Sequence, residues 1–84
     1  MKEIRSLTVM NELGLHARAA AQIVELAKKY QSEFFLKSKK EGREVEGSSI
    51  LSILTLACPQ GSEIEASIIG DDAREFMDEL ERLF

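Results

Sequence analysis

Apolar residues recur along this chain with two different periods, and the two alternate. Residues 4–9 repeat every second position, with Leu7 and Val9 on one face and Ser6 and Thr8 on the other, which is the pattern of a strand with one buried side. Asn11 to Gly14 reads as a turn. From about Ala17 to Tyr30 the period lengthens, and Ala20, Ile23, Val24, Ala27 and Tyr30 recur at helical spacing. Alanine is the best helix former, so the run predicts a helix, and Lys28 and Lys29 fall in its last turn, where cations complement the helix dipole. Residues 33–39 alternate again, with Phe34 and Leu36 opposed to Phe35 and Lys37. Glu41-Gly42 then turns the chain into a short strand ending near Val45 and Glu46. Ser48 and Ser49 are candidate N-caps for a second helix over about residues 49–57, ended by Pro59 and Gly61. Residues 63–69 form the last alternating run, with Ile64, Ala66 and Ile68 on one face. Asp72 and Glu75 fit a capping box ahead of a helix whose stripe is Ala73, Phe76, Met77, Leu80 and Phe84.

The resulting order is β-α-β-β-α-β-α. Clear apolar–polar alternation suits an antiparallel sheet with one wet face, and helices would cover the other. The expected fold class is therefore α+β, a two-layer sandwich in a single domain spanning residues 1–84. The second helix breaks the pattern. Ile50, Leu51, Ile53, Leu54, Leu56 and Ala57 surround nearly all of it. Such a helix is either buried on every side or leaves an exposed apolar patch for a partner. A domain of 84 residues has little room for the first.

Composition narrows the function. The chain is 44% hydrophobic and 31% charged, a globular balance rather than a disordered one. No apolar run approaches the ~20 residues of a membrane helix, and Met1 to Arg5 lacks the apolar region of a signal peptide. The net charge of -4 argues against nucleic acid, whose phosphates select basic surfaces. Cys58 is the sole cysteine. It cannot form an internal disulfide, which suits a reducing cytoplasm, and it reads as a small buried apolar residue. One histidine and one cysteine supply no metal-ligand set, and no nucleophile elbow marks a hydrolase. No cofactor is expected.

The histidine is His16, directly after Asn11-Glu12-Leu13-Gly14-Leu15 and directly before the alanine-rich helix. A helix start presents unpaired N–H groups and roughly +0.5 of an elementary charge, and such a place binds phosphate. With Arg18 two residues on, an exposed His16 is a candidate for a nitrogen that accepts a phosphoryl group. A capping or surface histidine is the plainer alternative.

The segment Asn11 to Ala21, with Gly14-Leu15-His16-Ala17-Arg18 at its centre, resembles the phosphorylation site of the HPr family. These are the histidine-containing phosphocarriers of the phosphoenolpyruvate-dependent phosphotransferase system. Ser48-Ser49-Ile50-Leu51-Ser52-Ile53-Leu54-Thr55-Leu56 resembles the family's regulatory-serine helix, and Gly61-Ser62-Glu63-Ile64 resembles the start of its last strand. The resemblance covers the whole chain. It implies an open-faced β-sandwich with three helices on one side of a four-stranded antiparallel sheet, and a carrier rather than an enzyme. It implies that Nδ1 of His16 takes a phosphoryl group from phosphorylated enzyme I and passes it to a IIA domain. Arg18 and the N–H groups of Ala17 and Arg18 would hold the phosphate. Ala21, Ile50, Leu51 and Leu54 would form the partner surface. Ser49, with Ser48 as rival, would be the regulatory serine addressed by a serine kinase/phosphorylase. A monomer is expected, with no nucleic acid or membrane partner.

Two residues depart from the family's habit. Ala19 stands where proline is common, which restores one N–H donor, and Ser48 stands where many members carry lysine. A regulatory carrier of the nitrogen branch, or a non-catalytic binding module with a structural His16, are the alternative functions.

Overall fold

Leu7, Phe34, Leu36, Ile64, Ala66 and Ile68 all fall on one face of one sheet, because their strands pair in a register that brings them side by side. The computed structural model describes residues 1–84. Its elements are β1 (Lys2–Thr8), α1 (Ala17–Ala27), β2 (Glu33–Ser38), β3 (Glu44–Glu46), α2 (Ile50–Leu54), β4 (Glu63–Ile69) and α3 (Ala73–Glu81), in the order that the alternating periods predict. The sheet order is β1-β4-β2-β3, antiparallel throughout. Leu7 lies opposite Ile64, and Ala66 opposite Leu36. Ala20, Ile23 and Val24 of α1, Ile53 of α2, and Ala73, Phe76, Met77 and Leu80 of α3 close over this face as one core with the strand residues. Fully burying an aliphatic or aromatic side chain of this size contributes about 1.5–3 kcal/mol, so this layer dominates the stability. Phe76 anchors it. Its ring stacks on Tyr30 at 4.8 Å and meets the edge of Phe34 at 4.9 Å, arrangements that aromatic pairs favour beyond mere burial.

The boundaries differ from the sequence pattern where a distant partner intervenes. β1 begins at Lys2, ahead of the alternating run, because Lys2 and Glu3 pair with Ile69 and Ile68. α1 ends at Ala27 with Lys28 as C-cap, so Lys28 and Lys29 lie past the last turn. Tyr30 has left the helix to stack on Phe76. α2 is five residues long rather than nine. Ala57 turns to φ +48, a left-handed conformation that a helix cannot continue, and the Arg43 guanidinium donates to the Thr55 hydroxyl at 3.1 Å and to the Thr55 carbonyl at this end of the helix.

The capping box is not formed. Asp72 is the N-cap of α3, but its side chain makes no capping bond. One carboxylate oxygen accepts the Gln31 N–H at 2.8 Å, and the other accepts the Ser32 hydroxyl. Asp72 thus ties the α1–β2 connection to the β4–α3 connection. The Ser32 hydroxyl first, and the Gln31 N–H second, hold its carboxyl below the usual carboxylate range.

Candidate functional site

The loop between β1 and α1 is fixed at both ends. Val9 N–H donates to the Ser62 carbonyl at 2.9 Å, and Gly61 N–H returns a bond to the Val9 carbonyl at 2.8 Å. Asn11 turns the chain, accepting Leu13 N–H on its side chain and Gly14 N–H on its carbonyl, both at 2.9 Å. Gly14 then adopts φ +69. Leu15 is buried, and its N–H donates to the Cys58 carbonyl at 2.9 Å. Through this clamp the loop delivers His16 to the N-cap of α1 in extended conformation, φ -81 and ψ 179.

His16 caps the helix with its own ring. Nδ1 accepts the Ala19 N–H at 3.1 Å, and the His16 carbonyl accepts the Ala20 N–H at 2.9 Å. The capping bond draws the imidazole in over the first turn, so His16 is half-buried rather than exposed as the sequence suggests. An accepting Nδ1 carries a lone pair, which assigns the ring proton to Nε2. Nε2 is buried and has no partner in the protein.

Ala17 and Arg18 follow at the first two helical positions, both exposed. Their N–H groups have no intrahelical carbonyl to meet, and the first turn carries no acidic residue. Arg18 makes no ion pair within the chain. It lies with Ala21 at a groove between α1 and α3. The helix tip therefore gathers one imidazole, two free N–H groups and one unpaired guanidinium, an arrangement that suits an anion. No group of three metal-ligating side chains is present.

α2 packs beside α1 and resolves the question of its apolar surround. Ile53 and Leu56 are buried, and Leu54 is half-buried against the core. Ile50 and Leu51 point outward at 39% and 76% exposure. The helix has both a core side and a bare apolar side. Of the two candidate caps, Ser49 performs the role, its hydroxyl accepting the Ser52 N–H at 3.3 Å, while Ser48 is exposed. Cys58 is buried as expected, and burial pushes its thiol up from the ordinary value.

Two residues near the site escaped the sequence pattern. Met10 and Leu13 are 65% and 69% exposed in the loop that leads to His16. Large apolar residues inside a turn segment were the signal available, since solvated turns ordinarily select polar ones.

The family model described as "PTS HPr component phosphorylation site" matches residues 4–84. Phosphocarrier protein HPr of Xylella fastidiosa, strain Temecula1, is 46% identical over 78 residues, which covers 93% of this chain and 85% of the relative. Phosphocarrier protein NPr of Proteus mirabilis is 34% identical over 84 residues, covering 100% of this chain and 92% of the relative. The crystal structure of HPr from Bacillus anthracis superposes with a TM-score of 0.90 at 30% identity, covering 98% of this chain and 95% of that one. The chain belongs to the HPr family, the phosphocarrier proteins of the phosphotransferase system.

Proposed function

We propose that this chain is a cytoplasmic phosphocarrier that receives a phosphoryl group from phosphorylated enzyme I on Nδ1 of His16 and delivers it to a IIA domain. The observation that carries the reading is the helix tip itself, where His16 caps α1 through Nδ1 beside an exposed, unpaired Arg18. The Nδ1 lone pair forms the new bond to phosphorus as the donor's bond to phosphorus breaks. The N–H groups of Ala17 and Arg18 meet the phosphoryl oxygens, and the Arg18 guanidinium adds a full charge with directional donors. An open helix tip holds the group loosely enough to release it. Ile50 and Leu51, with Leu54 and Ala21 at their margins, supply the apolar surface that donor and acceptor share in turn. A single chain holds all these parts, and we read the working unit as a monomer of one domain.

Ser49 is the regulatory position in this reading. A phosphoserine there adds about -1.5 to -2 charges at a helix N-terminus, which tolerates them, while placing them beside the docking residues Ile50 and Leu51. A second reading, a nitrogen-branch carrier that moves no sugar, is supported by the similarity to NPr along the whole chain.

Incubation with enzyme I and phosphoenolpyruvate separates carrier from module. Intact mass should show one acid-labile phosphoryl group on the wild type and none on His16→Ala. That variant should remain folded, with a stability loss of about 1 kcal/mol from the missing cap. Full uptake by His16→Ala would overturn the assignment of the acceptor.

A further inference from the structure

We propose that the backbone N–H of Ala19 is a positioning group that holds Nδ1 of His16 closed in the unphosphorylated chain, and that it thereby makes the site release its phosphoryl group more readily. The inference rests on His16 being the acceptor. Ala19 N–H donates to Nδ1 at 3.1 Å. That bond uses the same lone pair that forms the nitrogen–phosphorus bond. When Nδ1 attacks, the pair moves into the new bond, the donor's bond to phosphorus breaks with its pair returning to the donor, and the ring proton stays on Nε2. The capping bond can then no longer exist. It stabilises one side of the transfer equilibrium and not the other.

The ring offers no second route in this pose, because Nε2 is buried. The remaining donors are separate from the cap. Ala17 and Arg18 precede Ala19 on the exposed tip, so they can hold phosphoryl oxygens whether or not residue 19 has an N–H. The device depends on an amide proton at this one position. A proline, which lacks one, would leave Nδ1 uncapped.

Three full-length chains test this: wild type, Ala19→Pro and Ala19→Gly. Glycine keeps the N–H, and proline removes it at a first-turn position where its φ is acceptable. The phosphoryl group is equilibrated with enzyme I, and its share on each chain is read by intact mass. Ala19→Pro should favour the phosphorylated form by about threefold to tenfold over wild type, the range expected for one lost neutral hydrogen bond. Ala19→Gly should stay within about twofold of wild type. Nitrogen NMR of the wild type adds a readout that needs no variant. Coupling across the hydrogen bond between Ala19 N and His16 Nδ1 should be present before phosphorylation and gone after it. Equal equilibria for wild type and Ala19→Pro, or no such coupling in the unphosphorylated wild type, overturns the role of Ala19 while leaving His16 as acceptor. Absence of phosphate on wild-type His16 overturns the acceptor assignment and this inference with it.

Discussion

Gly14 rests on the carbonyl of Cys58. A Cβ at Gly14 would lie 2.3 Å from that oxygen and 2.9 Å from the Pro59 Cα, and the residue already sits at φ +69. Both neighbours are backbone, so neither can swing aside. Gly14→Ala combines a left-handed strain with a clash. It should cost about 1–3 kcal/mol, read as about 4–8 °C of Tm for each kcal/mol in a domain of this size. Because the Leu15 N–H bond to the Cys58 carbonyl is part of the same contact, the loop that presents His16 should shift, and phosphorylation by enzyme I should slow at temperatures where the variant is still folded. Wild-type Tm and rate would show that the loop is not clamped there.

Arg18→Ala should separate activity from stability. The side chain is exposed and forms no ion pair, so its removal should change stability by no more than about 0.5 kcal/mol. A hydrogen bond to a charged group is worth roughly 1.5–3 kcal/mol, and about 1.4 kcal/mol is a decade in rate. Transfer from enzyme I should therefore fall by about one to two decades, with the phosphate still on His16. An unchanged rate removes the guanidinium from the site.

Leu51→Glu places a charge on the barest part of α2, where the leucine is 76% exposed. Surface changes of this kind alter stability by about 0.5 kcal/mol or less, while a charge inside an apolar contact must be desolvated without a partner. Calorimetric titration with enzyme I should show weakened binding at an unchanged Tm. Binding of wild-type strength would move the docking surface elsewhere.

Asp72 gives the fold an acid-sensitive tie. Its carboxyl is held low by the Ser32 hydroxyl and the Gln31 N–H. A folded value below the unfolded one means that the contribution is complete above the unfolded value, near ~3.9 for aspartate, and is lost as pH falls through the folded value. Asp72→Asn should lower Tm at neutral pH, and the two Tm curves should draw together as pH drops below the ordinary carboxylate range. Parallel curves down to the acid end would mean that the charge of Asp72 plays no part.

The sequence by itself determined the succession of elements and the face each one buries. Leu7, Phe34, Leu36, Ile64, Ala66 and Ile68 sit inward as their period of two requires, and Ala20, Ile23, Val24, Phe76, Met77 and Leu80 do so by the helical period. Those periods are set by local backbone geometry, which neighbours in sequence suffice to express. His16 before an alanine-rich run was legible as a helix start for the same reason. What only the tertiary structure decided lies wherever a local preference met a partner far along the chain. Arg43, from the β2–β3 connection, donates to the hydroxyl and carbonyl of Thr55 just past α2. Ser32 and Gln31 take Asp72 away from its own helix. The Cys58 carbonyl fixes where Gly14 and Leu15 must pass, and so which way His16 enters α1. The ring lies inward there, with Nδ1 capped and Nε2 buried. A periodicity records which residues prefer the interior, but a hydrogen bond across tens of residues depends on where packing brings two backbones together, and no local pattern encodes that meeting.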